Sequence, residues 1–85
     1  MRIIRTQRFI DDFENLPRDT KEKTKQSIRL LVSNLFHPSL RTKKIKGSRN
    51  IWEASITMKY RLTFKIEDTA YILRRVGTHR ILQNP

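Results

Sequence analysis

The spacing of the apolar residues changes once along this chain, and that change constrains the fold more than any other feature. Phe9, Ile10, Phe13 and Leu16 lie at helical spacing, whereas from Trp52 onward apolar residues recur at every second position. A period of about 3.6 favours a helix and a period of two favours a half-buried strand. The sequence therefore predicts helices in the first half and a sheet in the second.

The first half begins with a short strand candidate, residues 2–5, followed by a helix. Thr6 has the hydroxyl of a helix N-cap, and the helix that it starts is predicted to run through Leu16. Pro17 ends this helix. The acids on its polar side are expected to face water: Asp11, Asp12 and Glu14.

A second helix is predicted from Arg18 to His37-Pro38, because the residue before a proline disfavours helical backbone. Its first two turns are highly charged and are predicted to be solvated. Its buried stripe follows the i, i+3, i+4, i+7 pattern and consists of Ile28, Leu31, Val32 and Leu35. The two helices are expected to form a hairpin that covers one face of the sheet.

The second half predicts the strands of that sheet. The candidates are residues 40–45, residues 51–58 with a tight turn at Met58-Lys59, residues 60–67 and residues 71–76. The sequence thus predicts an α+β fold in which an N-terminal strand and a helical hairpin pack on one face of an antiparallel sheet, in the order β-α-α-β-β-β(-β). All of residues 1–85 form one domain, because a chain this short builds a single core.

Alternation divides the side chains of the sheet between two faces. The face toward the helices is predicted to carry Trp52, Ala54, Ile56, Met58, Leu62 and Phe64. The opposite side, called the open face below, is predicted to carry Glu53, Ser55, Arg61, Thr63 and Lys65. Arg74 and Arg75 are consecutive, so only one of them joins the open face, and the sequence leaves open which one. Gly77 permits a bend that folds His79 and Arg80 back over the sheet.

Positive charge is concentrated in the half that forms the sheet. Residues 37–85 hold 11 Lys and Arg against 3 acids, which is +8 of the total +11, whereas residues 1–36 hold 8 against 5. A basic face on a small rigid sheet is typical of a polyanion partner, most often nucleic acid. The side chains expected to bind such a nucleic acid are Lys43, Lys44, Lys46, Arg49, Lys65 and Arg80.

Composition excludes several other classes of protein. The chain has no cysteine, so disulfides, thiolate metal sites and a cysteine nucleophile are all excluded. No segment approaches the about 18 apolar residues of a membrane span, and no signal peptide is evident, so a cytoplasmic protein without a membrane partner is expected. Two distant histidines and scattered acids lack ligand spacing. We therefore expect no metal site and no cofactor.

The open face combines groups that could cleave RNA without a metal ion. The 2′-hydroxyl of RNA would attack the adjacent phosphate, so the protein would supply a base, an acid and cations for the developing charge. Glu53, His79 and Arg61 are candidates for these roles, with Arg74 or Arg75 as a further cation. A structural alternative exists for Glu53, which could be only the cross-strand partner of Arg61 or Lys65.

The order of these motifs resembles the RelE/ParE superfamily of toxins from type II toxin–antitoxin systems. The matching segments are F-x-x-x-F-x-x-L-P before the second helix, H-P-S-L-R-T-K-K-I-K-G, Y-R-L-T-F-K-I-E and the closing I-L-R-R-V-G-T-H-R. The resemblance covers nearly the whole chain and implies a RelE-like fold. RelE-like members cut messenger RNA in the ribosomal A site, whereas ParE-like members inhibit DNA gyrase.

The resemblance also implies roles for particular residues. Arg61 would contact the scissile phosphate or stabilise its transition state, and Lys44 and Lys46 would hold RNA phosphates. Arg74 or Arg75 would match the late-strand arginine of the family. The chain departs from the family pattern because no tyrosine follows Val76, so Glu53 or His79 would have to transfer protons.

Three functions follow as expectations. The first is a ribosome-dependent, metal-independent mRNA endonuclease that inhibits translation. The alternatives are a non-enzymatic gyrase inhibitor and an inactive toxin-like binding protein. In each case we expect a cognate acidic antitoxin that neutralises the charge of +11 in a hetero-oligomer and is encoded beside this chain. mRNA and the ribosome would be partners only of the endonuclease.

Overall fold

A computed structural model, which describes all 85 residues, shows two helices packed on a five-stranded sheet. The elements are β1 (Arg2–Arg5), α1 (Gln7–Glu14), α2 (Arg18–Ser33), β2 (Lys43–Lys44), β3 (Ile51–Ser55), β4 (Tyr60–Glu67) and β5 (Ala70–Thr78). Short 3₁₀ helices span Pro38–Leu40 and His79–Gln83. The predicted α+β class and the order of its elements are confirmed. Neither helix combines the length and the hydropathy needed to cross a membrane.

The sheet has the order β1-β5-β4-β3-β2 and is mixed. β2, β3, β4 and β5 pair antiparallel with their neighbours, as predicted, whereas β1 pairs parallel with β5. A parallel partner needs a crossover between the two strands. The segment from α1 to β4 forms that crossover, so the first and last strands of the chain are neighbours at one edge of the sheet.

Both helices end earlier than the sequence predicts. Thr6 caps α1 as expected, accepting a hydrogen bond from the Phe9 amide at 3.1 Å, but α1 ends at Glu14 rather than Leu16. α2 ends at Ser33 rather than at His37-Pro38. The reason is Asn34, whose backbone is extended and whose side chain accepts from the Phe36 amide at 3.1 Å. Asparagine favours such local turns over a continued helix.

The inner face of α2 differs from the predicted apolar stripe. Leu31 is fully buried, but Val32 is 41% exposed and the face continues toward the N-terminus through Thr20, Thr24 and Ser27. The Thr24 hydroxyl donates to the Thr20 carbonyl at 2.7 Å, which satisfies its polar atom inside the core. The prediction that the first two turns of α2 are solvated is therefore wrong on this side of the helix, where small hydroxyl side chains pack into the core.

The core lies between the helices and one side of the sheet. Its fully buried side chains include Leu31, Leu62, Phe64 and Leu73, and Trp52 stacks on Phe64 with ring centroids 6.3 Å apart. The predicted inner face is therefore confirmed for the residues of β3 and β4.

Two predictions about strand length are wrong. Met58 does not join the inner face, because β3 ends at Ser55 and Met58 is 86% exposed in the following loop. β2 spans only Lys43–Lys44 rather than residues 40–45, because Leu40 ends a 3₁₀ helix and Arg41 is left-handed with φ 47°.

The C-terminal 3₁₀ helix folds back over the open face, as predicted, but Gly77 is required for a different reason. Its backbone does not have positive φ, and a Cβ at this position would lie 2.9 Å from Ile81 Cγ2. Gly77 therefore provides space for Ile81, which is 6% exposed.

Gly77→Ala is expected to lower the free energy of unfolding by about 1 kcal/mol or more, because it overpacks this contact. Urea denaturation of Gly77→Ala, Ile81→Ala and the double variant measures the interaction free energy between residues 77 and 81. The Gly77→Ala cost should shrink in the Ile81→Ala background. An unchanged cost would show that the two residues do not interact.

Candidate functional site on the open face

The strand register aligns side chains from four strands across the open face. Lys43 pairs with Glu53, Glu53 with Thr63, and Thr63 with Arg75. Arg61 pairs with both Ser55 and Gly77 in the next row. Since paired residues point to the same side of a sheet, the predicted grouping of Glu53, Ser55, Arg61, Thr63 and Lys65 on one face is correct.

Arg61 and Glu53 form an ion pair at the centre of this face. The Arg61 Nε lies 4.0 Å from Glu53 Oε1, and the two side chains are only 14% and 13% exposed. The pair is diagonal, since Glu53 is directly opposite Thr63. Glu53 is therefore a cross-strand partner of Arg61, and the two side chains named as candidates in the sequence lie side by side.

Arg61 also organises the loop between β3 and β4. Its Nη1 group lies 2.6 Å from the Thr57 carbonyl oxygen and 3.1 Å from those of Met58 and Tyr60. The Nη2 group has no hydrogen-bond partner in the chain. The guanidinium is consequently fixed in orientation, with its Nη1 edge held by the loop carbonyls.

Thr63 is covered rather than open. It is fully buried, and its hydroxyl donates to the backbone oxygen of Pro85 at 3.2 Å. The prediction that Thr63 lies on an uncovered surface is wrong, because the segment after β5 crosses the sheet at this point. The accessible part of the face is therefore divided by the chain's last residues.

Asp12 and Arg75 form the shortest ion pair in the protein. Arg75 Nε donates to Asp12 Oδ2 at 2.9 Å and Arg75 Nη2 donates to Oδ1 at 3.1 Å, while the Val76 amide donates to Oδ2 at 3.2 Å. The hydrogen bonds with Asp12 raise the pKa of Arg75 above its ordinary value, with the nearby negative charge acting in the same direction against partial burial. The prediction that Asp12 faces water is wrong.

The register shows which of the two consecutive arginines belongs to the row of the open face. Arg75 pairs with Thr63, and Leu73 pairs with Phe64, so Arg74 is the extra residue of a β-bulge. A bulge re-aims the side chain of the inserted residue. Arg74 Nε donates to the Pro85 oxygen at 3.1 Å. Arg75 is thus engaged by α1, whereas Arg74 points toward the chain's last residues.

The two lysines of β2 lie on opposite sides of the sheet. Lys43 shares the open face with Glu53, whereas Lys44 pairs with Trp52 and its Nζ lies 5.4 Å from the centroid of the Trp52 ring. A cation over an indole face is a favourable contact in its own right. Lys43 therefore extends the open face, and Lys44 covers the edge of the core.

The other predicted basic residues lie around this face. Lys46 and Arg49 are exposed in the loop between β2 and β3, and Lys65 is half-buried, opposite Ile51 and Ile72. Arg80 is exposed in the C-terminal 3₁₀ helix.

His79 begins the C-terminal 3₁₀ helix and is exposed. Because Thr78 pairs with Tyr60, His79 follows at the same end of the sheet as Arg61. No three His, Cys, Asp or Glu side chains gather into a cluster that could hold a metal ion.

Sequence reasoning missed Asp12 and Arg8. Asp12 is separated from Arg75 by 63 positions, and no local pattern distinguishes it from its neighbour Asp11. Arg8 lies in the first turn of α1 and lines a pocket with Arg74 and Arg75. The sequence carried no signal for either residue, because the pairing of β1 with β5 determines which residues of α1 reach the end of β5.

The chain is thus a small basic α+β protein with an arginine–carboxylate pair on the sheet face opposite its helices. The model of the ParE toxin family, from the parDE type II toxin–antitoxin system, matches residues 3–82. The chain belongs to this family, within the RelE/ParE superfamily, and is a toxin of a toxin–antitoxin system. Among curated proteins, none matches the sequence significantly.

Solved structures share the fold over nearly the whole chain. The YoeB/ParE toxin from Agrobacterium tumefaciens has a TM-score of 0.81 at 20% identity, covering 93% of this chain and 99% of that chain. YafQ from E. coli has a TM-score of 0.80 at 22% identity, covering 96% and 98%. The RelB-RelE antitoxin–toxin complex from Methanococcus jannaschii gives a TM-score of 0.76 at 23% identity, covering 95% of each. At these identities the likeness shows the fold alone.

Proposed function

We propose that this toxin is a ribosome-dependent mRNA endonuclease that inhibits translation. The observation that carries the proposal is the Arg61–Glu53 pair, which places a fixed guanidinium beside a carboxylate on a basic sheet face. In the proposed cleavage the 2′-hydroxyl of RNA attacks the adjacent phosphate, and protein side chains supply proton transfer and charge stabilisation without a catalytic metal. RelE, YoeB and YafQ toxins share the fold, which supports this branch of the superfamily.

The contacts of each group define its proposed role. Arg61 would donate from its unpaired Nη2 to the phosphate, where charge develops in the transition state. Glu53 lies beside it and would accept the proton of the 2′-hydroxyl. His79, exposed at the same end of the sheet, would protonate the leaving 5′-oxygen. The proposed base, Glu53, lies in β3 and the proposed acid, His79, lies in the C-terminal 3₁₀ helix, so each can be substituted separately.

The direct test adds the purified protein to ribosomes translating a defined mRNA and maps new ends by primer extension. Cleavage within the translated region is expected only while ribosomes occupy the message. An intact message in the presence of folded protein would contradict the endonuclease. Cleavage of naked mRNA at the same rate would contradict the requirement for the ribosome.

Inhibition of DNA gyrase is the second candidate, and the match to the ParE family model favours it. This activity requires no proton transfer, so it is compatible with Glu53 serving only as the partner of Arg61. A supercoiling assay with purified gyrase separates the two candidates. Loss of supercoiling without mRNA cleavage would establish the inhibitor and exclude the enzyme.

The proposed protein partner is an acidic antitoxin. Toxin–antitoxin complexes with this fold, RelB-RelE and DinJ-YafQ, support such a partner. A cleft of about 260 Å³ beside the helices is lined by four apolar side chains, Phe9, Ile10, Phe13 and Ile28, and by three charged ones, Arg5, Lys25 and Glu14, of which two are basic. An amphipathic segment with acidic flanks would match this cleft.

Lys43 is expected to contribute more to RNA binding than Lys44, which differs from the assignment implied by the family resemblance. Lys43 lies on the open face, whereas Lys44 covers Trp52 on the other side. Lys43→Ala should weaken binding of a single-stranded RNA and lower the slope of log K against log salt by about 0.7, the value for one lost phosphate contact. Lys44→Ala is the matched control, and an equal effect of both variants would contradict the assignment of faces.

A further inference from the structure

We propose that Arg8, Arg74 and Arg75 form a second phosphate-binding site, separate from the Arg61–Glu53 pair. The pocket holds about 160 Å³ and is lined by Thr6, Arg8, Arg74, Arg75, Asn84 and Pro85. Three of the six lining residues are arginines, and none has an acidic side chain. The volume is several times the about 30 Å³ that one water molecule occupies in the liquid, so a phosphate group fits.

The contacts of Arg74 preorganise it for an anion. The β-bulge re-aims its side chain out of the strand row, and the Pro85 oxygen accepts from its Nε at 3.1 Å. Neither of its Nη groups has a hydrogen-bond partner within the chain. The backbone thus fixes the orientation of the guanidinium and leaves its outer donors to a ligand.

This site differs from a patch of surface lysines because its arginine side chains converge on one pocket from two elements, α1 and β5. Arg8 approaches from α1, and Arg75 is held by Asp12 from behind while its Nη1 donates to the Asn84 oxygen at 3.3 Å. Asp12 offsets one of the three arginines, and the Pro85 oxygen already accepts from Arg74 Nε, so Arg8 and the outer Nη groups of Arg74 are the donors left for a ligand. The first turn of α1 borders the pocket, and its partial positive charge adds to this field.

The arrangement favours a phosphate over a carboxylate. Donors converge from α1 and from the bulge of β5, which suits the several oxygens of a tetrahedral anion better than the two coplanar oxygens of a carboxylate. Thr63, whose hydroxyl shares the Pro85 oxygen with Arg74, is two residues from Arg61 on the same face, roughly 7 Å along the strand. An RNA strand with one phosphate at Arg61 would therefore have another within reach of the pocket. Only this choice of RNA as the ligand rests on the proposed function.

The first test uses inorganic phosphate and NMR of the ¹⁵N-labelled protein at low salt. Saturable shifts are expected for the amides of residues 6–9, 63, 74 and 75 and for the Arg74 Nε–H signal. Arg8→Ala should weaken the apparent affinity about tenfold, because it removes a charged donor. Arg18→Ala, which changes another exposed arginine, is the control and should leave the affinity unchanged. Uniform, non-saturating shifts, or equal effects of the two variants, would overturn the site.

Acetate and RNA then identify the ligand class. Acetate at matched ionic strength should shift the same signals less than phosphate, whereas equal or tighter binding of acetate would make this a carboxylate site, as for an acidic protein partner. For a single-stranded oligoribonucleotide, Arg8→Ala should lower the slope of log K against log salt by about 0.7. An unchanged slope would overturn the RNA assignment. Because neither readout requires cleavage, failure of the pocket and failure of the endonuclease are distinguishable.

Discussion

Arg61→Ala is expected to lower the rate of mRNA cleavage about 100-fold or more. A fixed donor aimed at the developing charge of a transition state typically contributes a factor of about 100 to 1,000, and Arg61 is held in place by Glu53 and by the loop carbonyls. The rate of cleavage on translating ribosomes is the measurement. Arg61→Lys keeps the positive charge but loses the planar, bidentate donor geometry of the guanidinium, so a smaller loss of cleavage rate than for Arg61→Ala is expected.

The fold of the Arg61 variants must be measured beside their activity. Removing the guanidinium frees the loop carbonyls and leaves Glu53, whose side chain is 13% exposed, without its partner, so the free energy of unfolding should fall by about 2 kcal/mol. Arg29→Ala, an exposed arginine of α2, is the matched control and should retain activity. A folded Arg61→Ala protein that cleaves at the wild-type rate would remove Arg61 from the mechanism.

Asp12→Asn is expected to destabilise the protein strongly, because it weakens the contact that holds α1 against β5. The Asp12 carboxylate accepts three hydrogen bonds, two from Arg75 and one from the Val76 amide. The two side chains of the pair are 17% and 18% exposed, so water only partly replaces a lost partner. Hydrogen bonds to charged groups contribute about 1.5–3 kcal/mol each, and some of that energy survives in the amide, so a loss of about 2 kcal/mol is expected.

Asp11→Asn provides the control for this prediction. Asp11 is exposed and accepts only from Gln7 Nε2 at 3.0 Å, so its substitution should change stability by less than about 0.5 kcal/mol. Urea denaturation of both variants measures the difference. Equal stabilities would show that the Asp12–Arg75 pair does not hold α1 against β5.

The sequence predicts the repeating parts of this fold well. Period-two alternation in β3 and β4 separates Trp52 and Phe64 from Glu53 and Arg61, because a strand has only two faces. The Thr6 cap is predicted for a similar reason, since a helix N-terminus needs a nearby acceptor for its free amides. These features depend on residues close together in the chain.

The missed features depend on contacts that have no local pattern. The bulge at Arg74 inserts one residue into β5, and alternation alone could not say which of two consecutive arginines it would re-aim. Asp12 reaches Arg75 because β1 lies parallel to β5 and pairs only as far as Leu73, so that α1, which follows β1, lies beside the next residues of β5. Thr63 is buried only because residues 84 and 85 cross above it. Each is a consequence of tertiary arrangement rather than of composition or spacing.

The central claim is that the open face of this toxin cleaves mRNA through the 2′-hydroxyl of the substrate. The most direct measurement compares, on translating ribosomes, an all-ribose message with the same message carrying a single 2′-deoxynucleotide on the 5′ side of the mapped cut. The account predicts cleavage of the first and an intact second, because the deoxy position removes the internal nucleophile. Equal cleavage of both messages, or no cleavage of either by folded protein, would contradict it.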